Sequence, residues 1–278
     1  IQPMSTPPRY AVIGNPVQHS RSPRIHSLFA AQTGAELRYE ALEVSLDGLD
    51  DRLAELHGHG YAGLNLTLPL KTAAVALCES HSERAGRAGA VNTLVRTAAC
   101  WHGDNTDGIG LLRDLRHNLG VTIAGKRVLV LGAGGAARGI LEPLLAEQPQ
   151  ELVVSNRNPW KPEELAATFK ALGPIRPATH YALKGDRYDL VLNATSAGHG
   201  GEVPRLPPGL FADGALVYDL NYCKAAQPFL DWAKAHGAAR VADGLGMLVE
   251  QAAEAFLLWR GVRPETAAVL KTLRRELG

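Results

Sequence analysis

The chain has 278 residues, 46% hydrophobic and 21% charged, a composition usual for soluble globular proteins and a length that suggests about two domains. The 29 Lys and Arg nearly cancel 28 Asp and Glu, with no run of five like charges, which argues against nucleic acid or an anionic membrane as the main partner. No stretch approaches the roughly 20 apolar residues of a membrane span, and Cys78, Cys100 and Cys223 form no CxxC pair, as expected for a reducing cytoplasm.

The segment from Ile1 to Arg9 carries three prolines and no apolar core, so it does not read as a signal peptide. Ile1, Gln2 and Pro3 ahead of Met4 read as a scar and are left out of fold reasoning. The first strand is Tyr10 to Ile13, broken by Gly14-Asn15-Pro16. A helix follows with Ser22 as N-cap, Pro23 at its first position and Gly34 closing it. Leu37 to Val44 alternates like a strand, and Leu49, Leu53 and Leu56 mark a second helix. Gly63 to Leu66 is a short strand, Pro69 precedes a helix containing Lys71, Ala74, Val75 and Cys78, and Val91 to Val95 is a strand. This first third reads as βαβαβαβ.

A helix from about Gly108 to Leu119 bridges to a second unit beginning at Lys126. Arg127 to Leu131 is a continuous apolar strand, as buried parallel strands tend to be. A glycine loop, a helix from Gly135 to about Leu145 and the strand Leu152 to Ser155 complete a βαβ unit. Further strands end at Asn193 and Tyr218, another precedes Asp243, and two helices close the chain, Met247 to Trp259 and Pro264 to Leu277. The expected fold class is α/β. A split substrate domain (1–106 and 243–278) encloses an inserted, doubly wound Rossmann-type domain (107–242).

Gly132-Ala133-Gly134-Gly135-Ala136-Ala137 fits GxGxx(G/A) directly after a strand and at the start of a helix. The first glycine makes the tight turn, the second admits a pyrophosphate to the backbone, and Ala137 lets helix and strand pack closely. Enzymes that use NAD place an acid near the end of the next strand to accept the ribose 2′-OH. Here that strand runs into Ser155-Asn156-Arg157-Asn158, with Lys161 nearby and no carboxylate, which favours NADP(H). Asn193-Ala194-Thr195-Ser196 ends another strand, where ligands bind in open α/β sheets, although turn chemistry explains these residues equally well.

The first unit gathers small polar residues beside its strand ends: His19-Ser20-Arg21-Ser22, Asn65 with Thr67, Asn92, and Asn105-Thr106-Asp107. Each has a bland reading, Ser22 and Asp107 as caps and Asn92 as a turn residue. Lys71 stands out. In a helix's first turn it would oppose the macrodipole, and with Asp107 it would form a couple able to move a proton at an alcohol.

Taken together these segments resemble the shikimate dehydrogenase family over nearly the whole chain. The match runs through Asn15-Pro16-Val17, His19 to Pro23, Asn65 to Lys71, Ala90-Val91-Asn92-Thr93, Asn105 to Gly108, the glycine loop and Asn156-Arg157. It continues through Asn193 to Ser196, Tyr218-Asp219 with Tyr222, and Gly244 to Val249 with Gln251. The resemblance implies NADPH-dependent reduction of 3-dehydroshikimate to shikimate, a step of aromatic amino-acid biosynthesis. It implies that Ser20, Ser22, Thr67 and Tyr222 bind the substrate carboxylate and that Asn65, Asn92, Asp107 and Gln251 hold the ring hydroxyls. Lys71 and Asp107 are the implied acid–base pair. For the cofactor it implies Gly132, Ala133, Gly134, Gly135, Ala136, Asn156, Arg157, Asn158, Lys161, Thr195, Ser196, Gly244 and Met247, and no metal.

Two departures stand out: Leu70 where many members have His, and Asn158-Pro159-Trp160 where Thr usually follows Asn-Arg. The nearest alternative is a quinate or dual quinate/shikimate dehydrogenase. A noncatalytic nucleotide-sensing module is the alternative from another class. Monomer and homodimer both stay open, and a cytoplasmic location is expected.

Overall fold

The computed structural model describes residues 6–278, and the readings on Ile1 to Met4 lie outside them. In chain order the first elements are β1 (Arg9–Gly14), α1 (Ser22–Thr33), β2 (Arg38–Glu43), α2 (Leu49–Gly58), β3 (Tyr61–Leu66), β4 (Ser80–His81), α3 (Glu83–Ala88), β5 (Thr93–Arg96), β6 (Trp101–Asp104) and α4 (Asp107–Arg113). Then come β7 (Arg127–Leu131), α5 (Gly135–Ala146), β8 (Glu151–Asn156), α6 (Trp160–Phe169), β9 (Ile175–Thr179), β10 (Tyr188–Asn193), β11 (Phe211–Asp219), α7 (Gln227–Ala235), β12 (Arg240–Asp243), α8 (Leu245–Arg260) and α9 (Ala267–Leu277).

Two spatial units result, one ending at Asp107 and resuming at Val249, the other Gly108–Leu248. The sequence reading put the breaks after 106 and 242, whereas the spatial ones fall inside α4 and α8. In the first unit the sheet order is β2-β1-β3-β5-β6-β4. Strands β1, β2 and β3 run parallel, but β5 is antiparallel to β3 and to β6. Its core joins Ile13, Leu53, Leu56, Leu64, Leu94 and Trp101. Each such side chain contributes about 1.5–3 kcal/mol on burial.

The second unit holds the order β12-β11-β10-β7-β8-β9, every pair parallel. Counted from β7 this is the 3-2-1-4-5-6 arrangement of dinucleotide-binding folds, with the switch point between β7 and β10. The run Val128-Leu129-Val130-Leu131 is fully buried because it faces apolar side chains on both sides of the sheet.

Several expectations need correction. No helix holds Lys71. It lies in a turn ahead of a five-residue 3-10 segment, Ala73–Leu77, so the macrodipole argument lapses, and Cys78 lies beyond that segment. Ser22 is not the N-cap of α1. Arg21 occupies that position, and the Ser22 N–H is met by Ser20 Oγ at 3.2 Å. The first third is not a simple βαβαβαβ run, because β4, α3 and the antiparallel β6 intervene. The bridging helix is α-helical only to Arg113 and widens into a π-helical turn, Asp114–Asn118.

Candidate functional site

Each unit carries its own polar cluster. In the first unit, β3 brings up Asn65, the turn after it Thr67 and Lys71, the start of β5 Asn92 and Thr93, the end of β6 Asn105 to Asp107, and α8 Gln251. Gly14 makes room for that turn, since a Cβ there would lie 2.3 Å from Thr67 Cγ2 and 2.9 Å from the Leu68 carbonyl oxygen.

Lys71 Nζ donates to Asp107 Oδ2 at 2.6 Å, with both side chains largely buried. Asn92 Nδ2 reaches Asp107 Oδ1 at 2.9 Å, Thr106 Oγ1 at 2.8 Å and Gln251 Oε1 at 3.3 Å. The other face of that amide is equally engaged. Asn92 Oδ1 accepts from Thr106 N at 2.8 Å and from Thr93 Oγ1 at 2.9 Å. Asn65 Nδ2 donates to Thr93 Oγ1 at 3.2 Å, which ties Asn65 into the same network.

Asp107 thus has one oxygen on an ammonium and the other on an amide. That geometry holds the lysine in place and leaves its remaining N–H bonds for a ligand. Behind the network, Arg84 binds Asp104 in a two-pronged pair at 2.7 and 3.1 Å, and Asp104 Oδ1 also accepts from Asn105 N at 2.7 Å. Burial alone would raise the Asp104 carboxyl, but the hydrogen bonds from Arg84 and Ser82 outweigh it and hold the carboxyl below its ordinary value. Leu70, at the position of the first departure, is fully buried in the apolar core.

The second unit's cluster lies at the carboxyl ends of its strands. Gly132 has φ +105°, and a Cβ there would stand 2.9 Å from the Ala194 carbonyl oxygen, so only glycine fits. Beside Gly134 nothing lies within 4 Å, and no side chain caps the N-terminus of α5. Its first N–H groups therefore have no side-chain partner, a cradle that suits a pyrophosphate. Gly198 and Gly244 are closed like Gly132, each without room for a Cβ beside the carbonyls of Ala225 and Leu220.

Arg157 and Lys161 are exposed and make no hydrogen bond or ion pair among the described residues, leaving both cations available to a phosphate. Asn158 Oδ1 accepts from Trp160 N at 3.1 Å at the start of the next helix, and its amide N–H groups remain for a ligand. His180, not singled out from sequence, hydrogen-bonds Ser155 Oγ at 2.8 Å. Burial and then the Arg157 charge lower its pKa. The chemistry of this donor set fits NADP(H).

Thr195 Oγ1 gives its proton to Asn193 Oδ1 at 2.7 Å, and Asn193 Nδ2 donates to Asp219 Oδ2 at 3.0 Å. Asn221 ties the next loop to the same carboxylate, through its backbone N–H and its amide, both at 2.9 Å. Burial pushes the Asp219 carboxyl up to about 6 despite these bonds. Ser196 is exposed, Met247 is buried in this unit's core, and Tyr222 follows β11 in extended conformation.

The structure therefore joins Lys71, Asp107, Asn65, Asn92 and Gln251 in one network. It places Ser20 and Ser22 at the start of α1 and Tyr222 in the other unit. Residues missed from the sequence include Tyr39, Arg84 and His180, and no spacing or motif marks them.

A cation where NAD-using folds carry an acid, together with an amine held for proton exchange, is the chemistry of a nicotinamide-dependent dehydrogenase. The chain is 54% identical to the shikimate dehydrogenase (NADP(+)) of Methylococcus capsulatus and 53% identical to that of Dechloromonas aromatica, over 98% and 96% of its length and 98% of each relative. It belongs to the shikimate dehydrogenase family.

Three family models match in register with the fold: the shikimate dehydrogenase substrate binding domain at 12–94, shikimate / quinate 5-dehydrogenase at 114–200 and the shikimate 5′-dehydrogenase C-terminal domain at 244–274. Among solved structures, the shikimate 5-dehydrogenase of Thermus thermophilus in complex with NADP(H) and shikimate superposes with a TM-score of 0.85 at 37% identity, covering 97% of this chain and all of that one.

Proposed function

We propose that the first unit binds 3-dehydroshikimate and shikimate, that the second binds NADP(H), and that Lys71 and Asp107 carry the proton chemistry. The protein is an NADP-dependent shikimate dehydrogenase, an oxidoreductase acting on a small-molecule alcohol. The observation that carries the assignment of roles is the 2.6 Å Lys71–Asp107 pair inside a network of amides and hydroxyls.

When bound, NADPH would supply the hydride for the carbonyl carbon. As negative charge grows on the carbonyl oxygen, the Lys71 ammonium gives that oxygen a proton, and Asp107 keeps the amine aimed at it. In the oxidative direction Lys71 takes the hydroxyl proton back. Within the first unit Asn65, Asn92, Asp107 and Gln251 meet the ring hydroxyls, and the hydroxyls of Ser20, Ser22 and Thr67 bind the carboxylate. Gly132 to Ala136 and the α5 N-terminus hold the pyrophosphate, Arg157 with Asn156, Asn158 and Lys161 the 2′-phosphate, and Thr195, Ser196, Gly244 and Met247 the remainder.

The sensing-module alternative falls with the family, whose curated relatives are named as enzymes. Quinate turnover is decided by kcat/KM for shikimate and quinate with NADP⁺ and NAD⁺. We expect shikimate with NADP⁺ to lead by more than tenfold, roughly one buried hydrogen-bonding group's worth of discrimination. Equal values for the two acids would make it a dual enzyme. No helix among the described residues is long and apolar enough to cross a membrane.

A further inference from the structure

We infer that Tyr39 is a positioning residue for substrate recognition: its phenol holds the side-chain amide of Asn65 in the orientation that presents its carbonyl oxygen as a set acceptor to a ring hydroxyl. The inference deepens the reading of the first unit as the substrate site and rests on it.

A phenol has one proton to give and lone pairs to receive. Tyr39 gives its proton to Asn65 Oδ1 at 2.7 Å. On its other side, Asn65 Nδ2 lies 3.2 Å from Thr93 Oγ1 and 3.4 Å from the Asn92 carbonyl oxygen. Thr93 Oγ1 donates its own proton to Asn92 Oδ1, so toward Asn65 it can only accept.

Turning the Asn65 amide over would set its oxygen against the Asn92 carbonyl. That carbonyl selects the orientation of the amide, as neighbours ordinarily do, and the phenol then holds the amide oxygen in place. Tyr39 is the only one of those neighbours that secures the oxygen.

The ring that carries this hydroxyl is itself clamped. The His26 imidazole lies flat on it, centroids 4.3 Å apart and 7° from parallel, and the Trp259 indole tilts against it at 6.4 Å. His26 is fully buried with neither ring nitrogen hydrogen-bonded among the described residues, and burial drops its pKa to about 3. It therefore packs as a neutral aromatic plate. Burial also raises the Tyr39 phenol above its ordinary value, so the group stays a donor at any working pH. A locked ring, a committed proton and an amide pinned from both ends make the hydroxyl a fixed reference for Asn65.

Tyr39→Phe keeps the ring stack and removes only the hydroxyl. Steady-state kinetics of shikimate oxidation should show KM for shikimate rising about tenfold, as for loss of one buried hydrogen bond, with kcat within about threefold and KM for NADP⁺ unchanged. Asn65→Ala should raise KM on its own, and the double variant should be no worse than Asn65→Ala, because Tyr39 acts through Asn65. An unmoved KM in Tyr39→Phe overturns the inference, whether or not thermal unfolding shifts, and so does full additivity in the double variant. Wild-type protein that fails to oxidise shikimate overturns the underlying reading of the site, whereas normal wild-type turnover with an unmoved Tyr39→Phe KM overturns this inference alone.

Discussion

The two units dispose of their polar groups in opposite ways. In the first, Asn65, Asn92, Thr93, Thr106 and Asp107 are buried and bonded to one another, so few orientations remain open to them. In the second, the α5 N-terminus lacks a side-chain cap, and Arg157 and Lys161 stand exposed without protein partners among the described residues. A rigid ring bearing several hydroxyls can be told from its relatives only by donors and acceptors already fixed in place. A phosphate asks for positive charge and free N–H groups, which water satisfies until the ligand displaces it.

That contrast can be broken experimentally, beginning where the effect is largest. Lys71→Ala should cut kcat by about 10²–10⁴, the usual share of a general acid, while fluorescence titration shows NADPH binding unchanged. Retained turnover would remove Lys71 from the mechanism, and lost NADPH binding would break the separation of the two units' tasks. Arg157→Ala should act the other way round, raising KM for NADPH about tenfold or more and leaving KM for NADH and kcat near wild type, since only the former has a 2′-phosphate to lose. Equal effects on both cofactors would refute the phosphate role.

The smallest effect expected concerns Asp219. Its carboxyl sits at about 6 in the folded protein because of burial, above the ordinary 3.8. The native state therefore holds that proton more tightly, and the stability it brings is complete below about pH 4 and lost as pH rises through 6. Thermal unfolding of wild type should decline between pH 5 and pH 7 by a few degrees more than that of Asp219→Asn, a difference on the order of 1 kcal/mol. Parallel curves for the two proteins would show that the hydrogen bonds from Asn193 and Asn221 offset the burial.

Much of this was legible before the fold. The β7–α5–β8 segment is written in an apolar run and a glycine loop whose meaning is local, and it appears where expected. Lys71 and Asp107 stand out in the sequence by type and order, and they pair in the structure, whereas the helix expected around Lys71 is absent. A turn and a short 3-10 segment follow Pro69 instead of an α-helix, and an ion pair with Asp107 is what holds the lysine.

Strand β6, Trp-His-Gly-Asp, is only four residues long, too short for a clear alternation. Strand β9 escaped notice because Pro177 sits within it, a residue tolerated only because β9 is a sheet edge. Tyr39 was invisible for a different reason. It meets residues 13 positions before it (His26) and 26 after it (Asn65), and long-range encounters leave no local pattern.

The glycines at the loop edge of the second sheet also bear on descent. At Gly132, Gly198 and Gly244 even one added methyl would strike a neighbouring carbonyl, so a single substitution there has no viable intermediate unless the adjoining strand end shifts as well. Residues 156–161 carry no comparable constraint, since Arg157, Asn158 and Lys161 are exposed. A lineage drifting from one nicotinamide cofactor toward the other would find its open path through those few surface positions, with the cradle inherited unchanged.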